Sequence, residues 1–453
     1  MTAPTAPTAA GAGPLDLGTT TPLARLQLIR ELRESMMLPP MGYSIDGQVV
    51  QLEAPVREAP LVGDHVVLEV AGRRLLAQVT AGRVELRAGP EVRFTVGATT
   101  AIDSKMQLRL RTFTGEALVL GELVDGTFRP VSDPRPFDET AALPAADDDV
   151  RAYHDWARTS SRTAVLDVGR EPRLADTRVH LHAKGLTRHT LFCGQSGSGK
   201  TFSLGVLLER VLLDTTLPMV VLDPNSDHVH LGTLRSRDDA DRVRAAARTD
   251  DEWAAIEAAH AAAAAGVCVV QDAAAAQQQR HAAGSRAVVV DLGAMADARE
   301  RHDAAASMLQ ELWDTRRDRD PVLIVLDEAH DTCPAEPVSE AQRTATELAI
   351  AIAGEGRKFG RHLLLATQRP QKLHPNVVSQ CDNLMLLRMN SSRDVADIAG
   401  SFSHVPEGLL HRAPTFDQGM ALVGGPLVPH PVLLRVDGRI TPEGGSDVPV
   451  TWA

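Results

Sequence analysis

The apolar positions divide this 453-residue chain into stretches of different period. From 166 to 453, short runs of consecutive apolar residues alternate with segments of helical period. Runs of that kind, buried on both faces, mark strands of a parallel sheet flanked by helices. The clearest lie at 190–193, 219–223, 287–291, 322–327, 362–367 and 383–388. Between 41 and 131 the texture differs. Stretches rich in Val, Leu and Thr, at 48–52, 65–70, 74–79, 92–96, 106–111 and 117–123, are separated by Gly, Pro and Asp turns. Regular short strands with no helical pattern predict a small antiparallel β-barrel. Ahead of it, Leu23, Leu26, Leu28, Ile29 and Leu32 supply one face of a short helix beginning at Pro22. Residues 1 to 22 carry too little apolar surface to repay ordering, so 1–40 is expected to be a disordered tail and that helix. Residues 132–165, with the acidic run at 147–149, read as a linker. Inside the α/β part, 232–285 is rich in Ala, Arg and Gln and predicts a helical insertion.

Composition narrows the chemistry. Forty-seven basic residues against 59 acidic ones leave a net charge of −12, so the chain is not a basic coat for nucleic acid. Aromatic residues make up only 3%, too few for a site built on rows of stacked bases. The four cysteines, Cys193, Cys268, Cys333 and Cys381, form no C-x-x-C pair, which argues against a disulfide scaffold or a zinc finger. The N-terminus has no basic segment followed by an apolar one, and no apolar run is long enough to span a bilayer. A cytoplasmic protein with no membrane contact is the expectation.

Three sequence motifs carry chemistry. Gly194, Gln195, Ser196, Gly197, Ser198, Gly199, Lys200 and Thr201 satisfy G-x-x-x-x-G-K-[ST] between an expected strand and an expected helix. Such a loop turns backbone N–H groups toward phosphate oxygens at a helix N-terminus. Lys200 is placed to reach the β- and γ-phosphates of ATP, and Thr201 to ligate Mg²⁺. The apolar run from 322 delivers Asp327 and Glu328 at a strand's C-terminal end, where open α/β sheets bind ligands. Asp327 then serves the Mg²⁺, and Glu328 is the candidate general base. A third run ends in Thr367 and Gln368, and Gln368 either senses the γ-phosphate or orients the water, or else caps the next turn. Arg357 and Arg361, flanked by glycines, suit either an arginine finger lent to a neighbour or a solvated helix cap, with Arg357 the better finger. Asp223 and Asp227 read either as part of a metal and water network or as an Asp-Pro turn.

In order along the chain come the phosphate loop, D-P-x-x-D at 223–227, D-E-A-H at 327–330, E-G-R-K-F-G-R at 355–361, A-T-Q-R-P at 366–370 and P-N-V-V-S-Q-C-D-N at 375–383. This set resembles the HerA branch of the HerA/FtsK hexameric ATPases. The same D-E-A-H letters also spell the box of DEAH helicases, but their Q-x-x-G-R-x-G-R motif is not found. The resemblance implies an α/β fold of RecA-like P-loop type, with a mostly parallel central sheet, preceded by a small β-barrel. It implies a homohexameric ring that threads double-stranded DNA through its pore, driven by ATP hydrolysis, with a partner nuclease or effector. Carried onto this chain, Lys200 and Thr201 take the phosphate and Mg²⁺ positions, Asp327 and Glu328 the second acidic motif, Gln368 the polar sensor and Arg357 the trans-acting arginine. Two other readings stand beside it: a ring ATPase acting on protein substrates, and a nucleotide-gated scaffold for an effector. The chain departs from the family in having Asp227 where a glutamate is usual. Its insertion offers Arg235, Arg237, Arg242, Arg244 and Arg248 as phosphate contacts, interleaved with Asp238, Asp239 and Asp241. A self-neutralised face is the simpler reading of that mixture.

Overall fold

Alternating and continuous apolar runs sort into two separate sheets, one in each of the units Met1–Ala146 and Asp147–Ala453. The computed structural model describes residues 15–16, 22–37, 39–96, 102–239, 246–247 and 249–445.

The first unit holds β1 (Leu15–Asp16), β2 (Met41–Ser44), β3 (Val49–Pro55), β4 (His65–Val70), β5 (Arg73–Val96), β6 (Ile102–Val124), β7 (Thr127–Arg129) and β8 (Phe137–Pro144). Hydrogen-bonded neighbours run β5–β4–β8–β2–β3–β6 and return to β5. Apart from the parallel β1–β5 pair, the pairings are antiparallel. Val50, Leu68, Ala77 and Val79 fill the interior and are inaccessible to solvent. Helix Pro22–Ser35 is present, and its Ile29 clusters with Val92 and Leu108. Of the rest of the expected tail, residues 1–14, 17–21 and 38 lie outside the described residues.

Two expectations need correction here. The stretches 74–79 and 92–96 belong to one strand, β5, and 106–111 and 117–123 to another, β6. Glycine signals inside them are not turns. A Cβ at Gly82 would come within 2.5 Å of the Phe113 ring, so the glycine lets that ring lie across the neighbouring strand. The ladder absorbs the irregularity as shifts of register between Val79 and Ala81 and between Ala88 and Glu91. Nor is 132–165 a linker. It contains β8 and helix Asp147–Ser160. Strand β8 lacks an apolar face, Ala142 being its one buried residue, and is specified by the gap between β4 and β2. The acidic run Asp147, Asp148 and Asp149 is the first turn of the helix, where carboxylates meet the positive end of the dipole.

The second unit is built on an 11-stranded sheet. Its strands are β9 (Val165–Arg170), β10 (Arg178–His182), β11 (His189–Cys193), β12 (Met219–Asp223), β13 (Val267–Val270), β14 (Ala287–Asp291), β15 (Val322–Leu326), β16 (Arg361–Thr367), β17 (Cys381–Leu386), β18 (Met420–Gly424) and β19 (Val432–Val436). The order is β10-β9-β19-β18-β17-β11-β16-β15-β12-β14-β13. Every pairing from β17 to β13 is parallel, and those from β17 back to β10 are antiparallel. Strands β11, β12, β14, β15 and β16 are buried along their whole length, as strands covered by helices on both faces must be. The insertion is more than a helical excursion: between helices Asp250–Ala264 and Ala273–Arg280 it adds β13 to the edge of the sheet. Arg235 and Arg237 are engaged by Asp239 and Glu257, and Asp241, Arg242, Arg244 and Arg248 lie outside the described residues. All four cysteines are free. Among the described residues, no helix is long and apolar enough to cross a membrane.

Arg361, at the start of β16, is fully buried and donates to the carbonyls of Leu312 (2.9 Å), Thr315 (2.9 Å) and Asp320. It therefore closes the N-terminal edge of the sheet and is not available as a finger. Arg361→Ala leaves these buried carbonyls without partners and is expected to cost about 3 kcal/mol of stability. Urea denaturation measures this loss; an unchanged midpoint would refute the structural role.

Candidate functional site

Parallel strands deliver their C-terminal ends to one edge of the sheet, and the candidate residues stand at or just after the ends of β11, β12, β15 and β16. After Cys193 the chain turns through Gly194–Gly199 into helix Lys200–Asp214. Gly197 and Gly199 have φ of 73° and 87°, the left-handed region that glycine adopts without strain. A Cβ at Gly194 would lie 2.7 Å from Ser198 Oγ and 2.8 Å from Leu387 Cβ, so the loop's first position is closed to any side chain. Segment 387–390 holds the loop from the other side. The Gln195 N–H donates to the Arg388 carbonyl (3.0 Å), the Arg388 guanidinium to the Gly197 carbonyl (2.7 Å), and the Asn390 N–H to Gln195 Oε1 (2.8 Å). Gly419 N–H closes it with a bond to the Ser198 carbonyl (2.9 Å). Nothing in the sequence marked Arg388 or Gly419, because they act on the loop from 191 and 221 residues away.

Lys200 and Thr201 open the helix after the loop. Lys200 Nζ donates to Asp327 Oδ1 at 2.6 Å and lies 3.2 Å from Glu328 Oε1, with its side chain 4% exposed. Burial works against the charge of this ammonium, but Asp327 and Glu328 outweigh it and raise its pKa. Burial likewise would raise the Asp327 carboxyl, yet Lys200 and then His228 hold it well below the usual carboxylate range. His228 Nε2 lies 3.6 Å from Asp327 Oδ2 and is itself buried, a neighbour that the sequence did not signal.

Glu328 sits in the left-handed region at φ 43°, ψ 46°, a conformation that costs a non-glycine residue about 1–2 kcal/mol. Its N–H donates to Asp327 Oδ1 at 2.8 Å, which helps to hold the turn. Gln368 Nε2 donates to Glu328 Oε1 at 2.5 Å, and His330 Nδ1 lies 3.3 Å from Glu328 Oε2 and 3.0 Å from Thr367 Oγ1. Burial lowers the His330 pKa against the opposing pull of Glu328. His330 thus touches the candidate base.

The D-P-x-x-D element divides its work. Asp223 accepts from the N–H groups of Asn225 (3.3 Å), Asp227 (3.0 Å) and His228 (2.7 Å), and so shapes the turn. Asp227 is pushed up to about 6 by burial and by the nearby Asp327 carboxylate. Oxygens of Asp223, Asp227 and Asp327 lie within 4.8 Å of one another, and Asp327 Oδ2 is buried with no hydrogen-bond partner among the described residues. A divalent cation fits this donor set, whose hard oxygens suit Mg²⁺. A cleft of about 320 Å³ brings together Gln195, Gly197, Lys200, Thr201, Asp227 and Gln368.

The C-terminal segment also reaches this cleft through Glu443, Gly444 and Gly445. It is anchored by Arg439, 2% exposed, which donates to the carbonyls of Thr201 (3.2 Å) and Asp227 (3.3 Å). Glu209 accepts from the N–H groups of Ile440 (2.9 Å) and Thr441 (2.8 Å). A Cβ at Gly205 would lie 2.5 Å from Arg439 Cζ, so this mid-helix glycine makes room for the guanidinium.

Arg357 lies apart from these groups, in the turn before β16, where it is 3.4 Å from Asp382 and half exposed. Strand β16 separates it from Gln368 by about 20 Å.

The family described as the central domain of helicase HerA matches residues 166–327, and the ATPase family associated with various cellular activities matches 271–389. The probable DNA double-strand break repair helicase HerA of Methanocaldococcus jannaschii is 34% identical over 128 residues, 28% of this chain and 25% of that protein. The DNA double-strand break repair helicase HerA of Saccharolobus solfataricus is 32% identical over 146 residues, 30% of this chain and 28% of that protein. The matches thus span about a quarter of these relatives' own length. Among solved structures, the genome packaging NTPase B204 from Sulfolobus turreted icosahedral virus 2 is 14% identical, with a TM-score of 0.36, covering 55% of this chain and 97% of that one. The pCW3 conjugation coupling protein TcpA is 11% identical, with a TM-score of 0.41, covering 92% and 94%.

The raised Asp227 pKa carries a pH signature. Unfolded, the carboxyl titrates near ~3.9; folded, near about 6. Its contribution to stability is therefore complete below pH ~4 and is lost as the pH rises through about 6. Without divalent cations, the melting temperature of the wild type relative to Asp227→Asn should fall across that window and level off above it. A difference between the two that does not vary with pH would count against the shift.

Proposed function

We infer that this chain, whose residues 166–327 match the central domain of helicase HerA and whose motifs resemble the HerA branch of the HerA/FtsK ATPases, is an ATP-hydrolysing motor acting on double-stranded DNA. The observation that carries this reading is the convergence of Lys200, Thr201, Asp327, Glu328 and Gln368 at the phosphate loop. The loop amides receive the phosphates, and Lys200 turns from its carboxylates to the β- and γ-phosphate oxygens. Thr201 and Asp327, with Asp227 beside them, would hold Mg²⁺, which neutralises charge on the phosphates. Glu328 accepts a proton from water as the water oxygen bonds to the γ-phosphorus. The bond from that phosphorus to the β–γ bridging oxygen breaks, and its electron pair leaves with ADP. Gln368, bonded to Glu328, couples the occupancy of the γ-phosphate position to the position of the base.

The remainder of the reading rests on the resemblance and on the relatives' names as DNA repair helicases. In it, the antiparallel unit over 41–131 and beyond is the small barrel ahead of a RecA-like motor. The motor works in the cytoplasm as a homohexamer with DNA in the pore and a partner nuclease or effector. Arg357 is then lent to the neighbouring subunit's nucleotide. With a net charge of −12, such a ring needs basic contacts only along its pore lining.

The deciding experiment is steady-state ATPase activity with and without linear double-stranded DNA. DNA should stimulate turnover, and Glu328→Gln should lower it by about 10²–10⁴-fold while ATP still binds. Glu328-dependent turnover that ignores DNA would shift the reading to a protein substrate or an effector scaffold. The trans role of Arg357 has its own test: mixing Arg357→Ala with Lys200→Ala subunits should restore part of the activity that each lacks alone. Confirmed mixed assemblies with no recovery would exclude it.

A further inference from the structure

A second cleft, of about 380 Å³, is lined by Pro224, Asn225, Arg301, Glu328, His330, Asp331, Gln368 and Arg369. It shares Gln368 with the phosphate-loop cleft, so the Glu328–Gln368 pair stands between the two. Its charges are unequally satisfied. Glu328 Oε1 is met by Lys200 and Gln368, Glu328 Oε2 lies 3.3 Å from His330 and has no hydrogen-bond partner among the described residues, and Asp331 is met by His302 at 3.2 Å. Among the described residues, neither Arg301 nor Arg369 has a carboxylate in ion-pair range, and Arg301 Nε is shielded from solvent without a hydrogen-bond partner. Arg301 also stands in the fourth position of helix Ala298–Asp314, near the positive end of the dipole, where a cation is unfavourable. Two guanidiniums without a carboxylate in ion-pair range, with the Asn225 amide as a further donor, suit a small tetrahedral oxyanion.

We propose that this cleft is a binding site for orthophosphate, the path by which the cleaved γ-phosphate leaves once Glu328 and Gln368 separate. The assignment of the phosphate as product rests on the ATP-hydrolysing reading above; the oxyanion site itself does not. The two guanidiniums receive the phosphate on the side of Glu328 away from ADP. ADP can therefore remain on the phosphate loop while phosphate departs, and the order of product release is phosphate first.

The test measures orthophosphate binding by ³¹P line broadening on the full chain saturated with ADP, so that the phosphate loop is already filled. Arg301→Ala and Arg369→Ala should each weaken orthophosphate binding by about tenfold, with Arg301→Lys recovering part of it. Arg299→Ala, an exposed arginine on the same helix paired with Asp303, should change nothing. Arg369 is exposed, so its variant tests the site even if Arg301→Ala folds poorly. Orthophosphate binding that is absent, or equal in wild type and both variants, overturns the site. Arginine-dependent binding in a chain without ATPase activity would keep the oxyanion site and refute the hydrolytic reading instead. In an active chain, phosphate release in a single turnover should slow in both variants while ADP affinity holds. Release at the wild-type rate would overturn the exit path.

Discussion

The buried contact between Lys200 and Asp327 is the interaction on which the arrangement of the site turns. An ammonium and a carboxylate 2.6 Å apart, both nearly inaccessible to water, are tolerable only as a pair, because either charge alone would be left without a partner. Lys200 stands at the first turn of the helix after β11, and Asp327 follows β15, with β16 between those strands. The pair therefore fixes the phosphate loop against the acidic motif across the sheet. The left-handed turn at Glu328, the Gln368 contact and the orphaned Asp327 oxygen all follow from that placement.

Around this pair, structural and chemical roles separate among residues of the same type. Asp223 spends its oxygens on backbone N–H groups, whereas Asp227, four residues on, keeps its carboxyl toward Lys200 and Asp327. Arg361 is consumed by carbonyls, while Arg357 remains half exposed beside Asp382. Arg439 ties the C-terminal segment to the start of the phosphate-loop helix and to the D-P-x-x-D turn, and Gly205 makes that possible. What distinguishes these groups is the number of backbone partners within reach, which residue type alone does not reveal.

Departures from the sequence reading share one cause. Strand β8 has one buried residue, so it carries no period to detect; it exists because two neighbouring strands leave a gap of the right width. Glycines at 82 and 115 look like turns until Phe113 is seen lying over them. The Ala-rich insertion has the helices its composition favours, but its short strand β13 is specified by pairing with β14.

The sequence by itself determined the elements whose cause is local: the fully apolar strands of the parallel sheet, the phosphate loop with its glycines, and the acidic pair at the end of β15. Backbone conformation and burial of consecutive apolar residues act over a few positions, so their signals stand in the linear chain. Tertiary structure alone decided which distant groups meet. It brought Arg388 and Gly419 to the loop, His228 to Asp327, His330 to Glu328, and Arg439 to the turn at Asp227. It also placed Arg301 and Arg369 in one cleft where, among the described residues, neither has a carboxylate in ion-pair range. Those contacts depend on strand order and crossover, and electrostatic compensation is a property of what surrounds a charge in space.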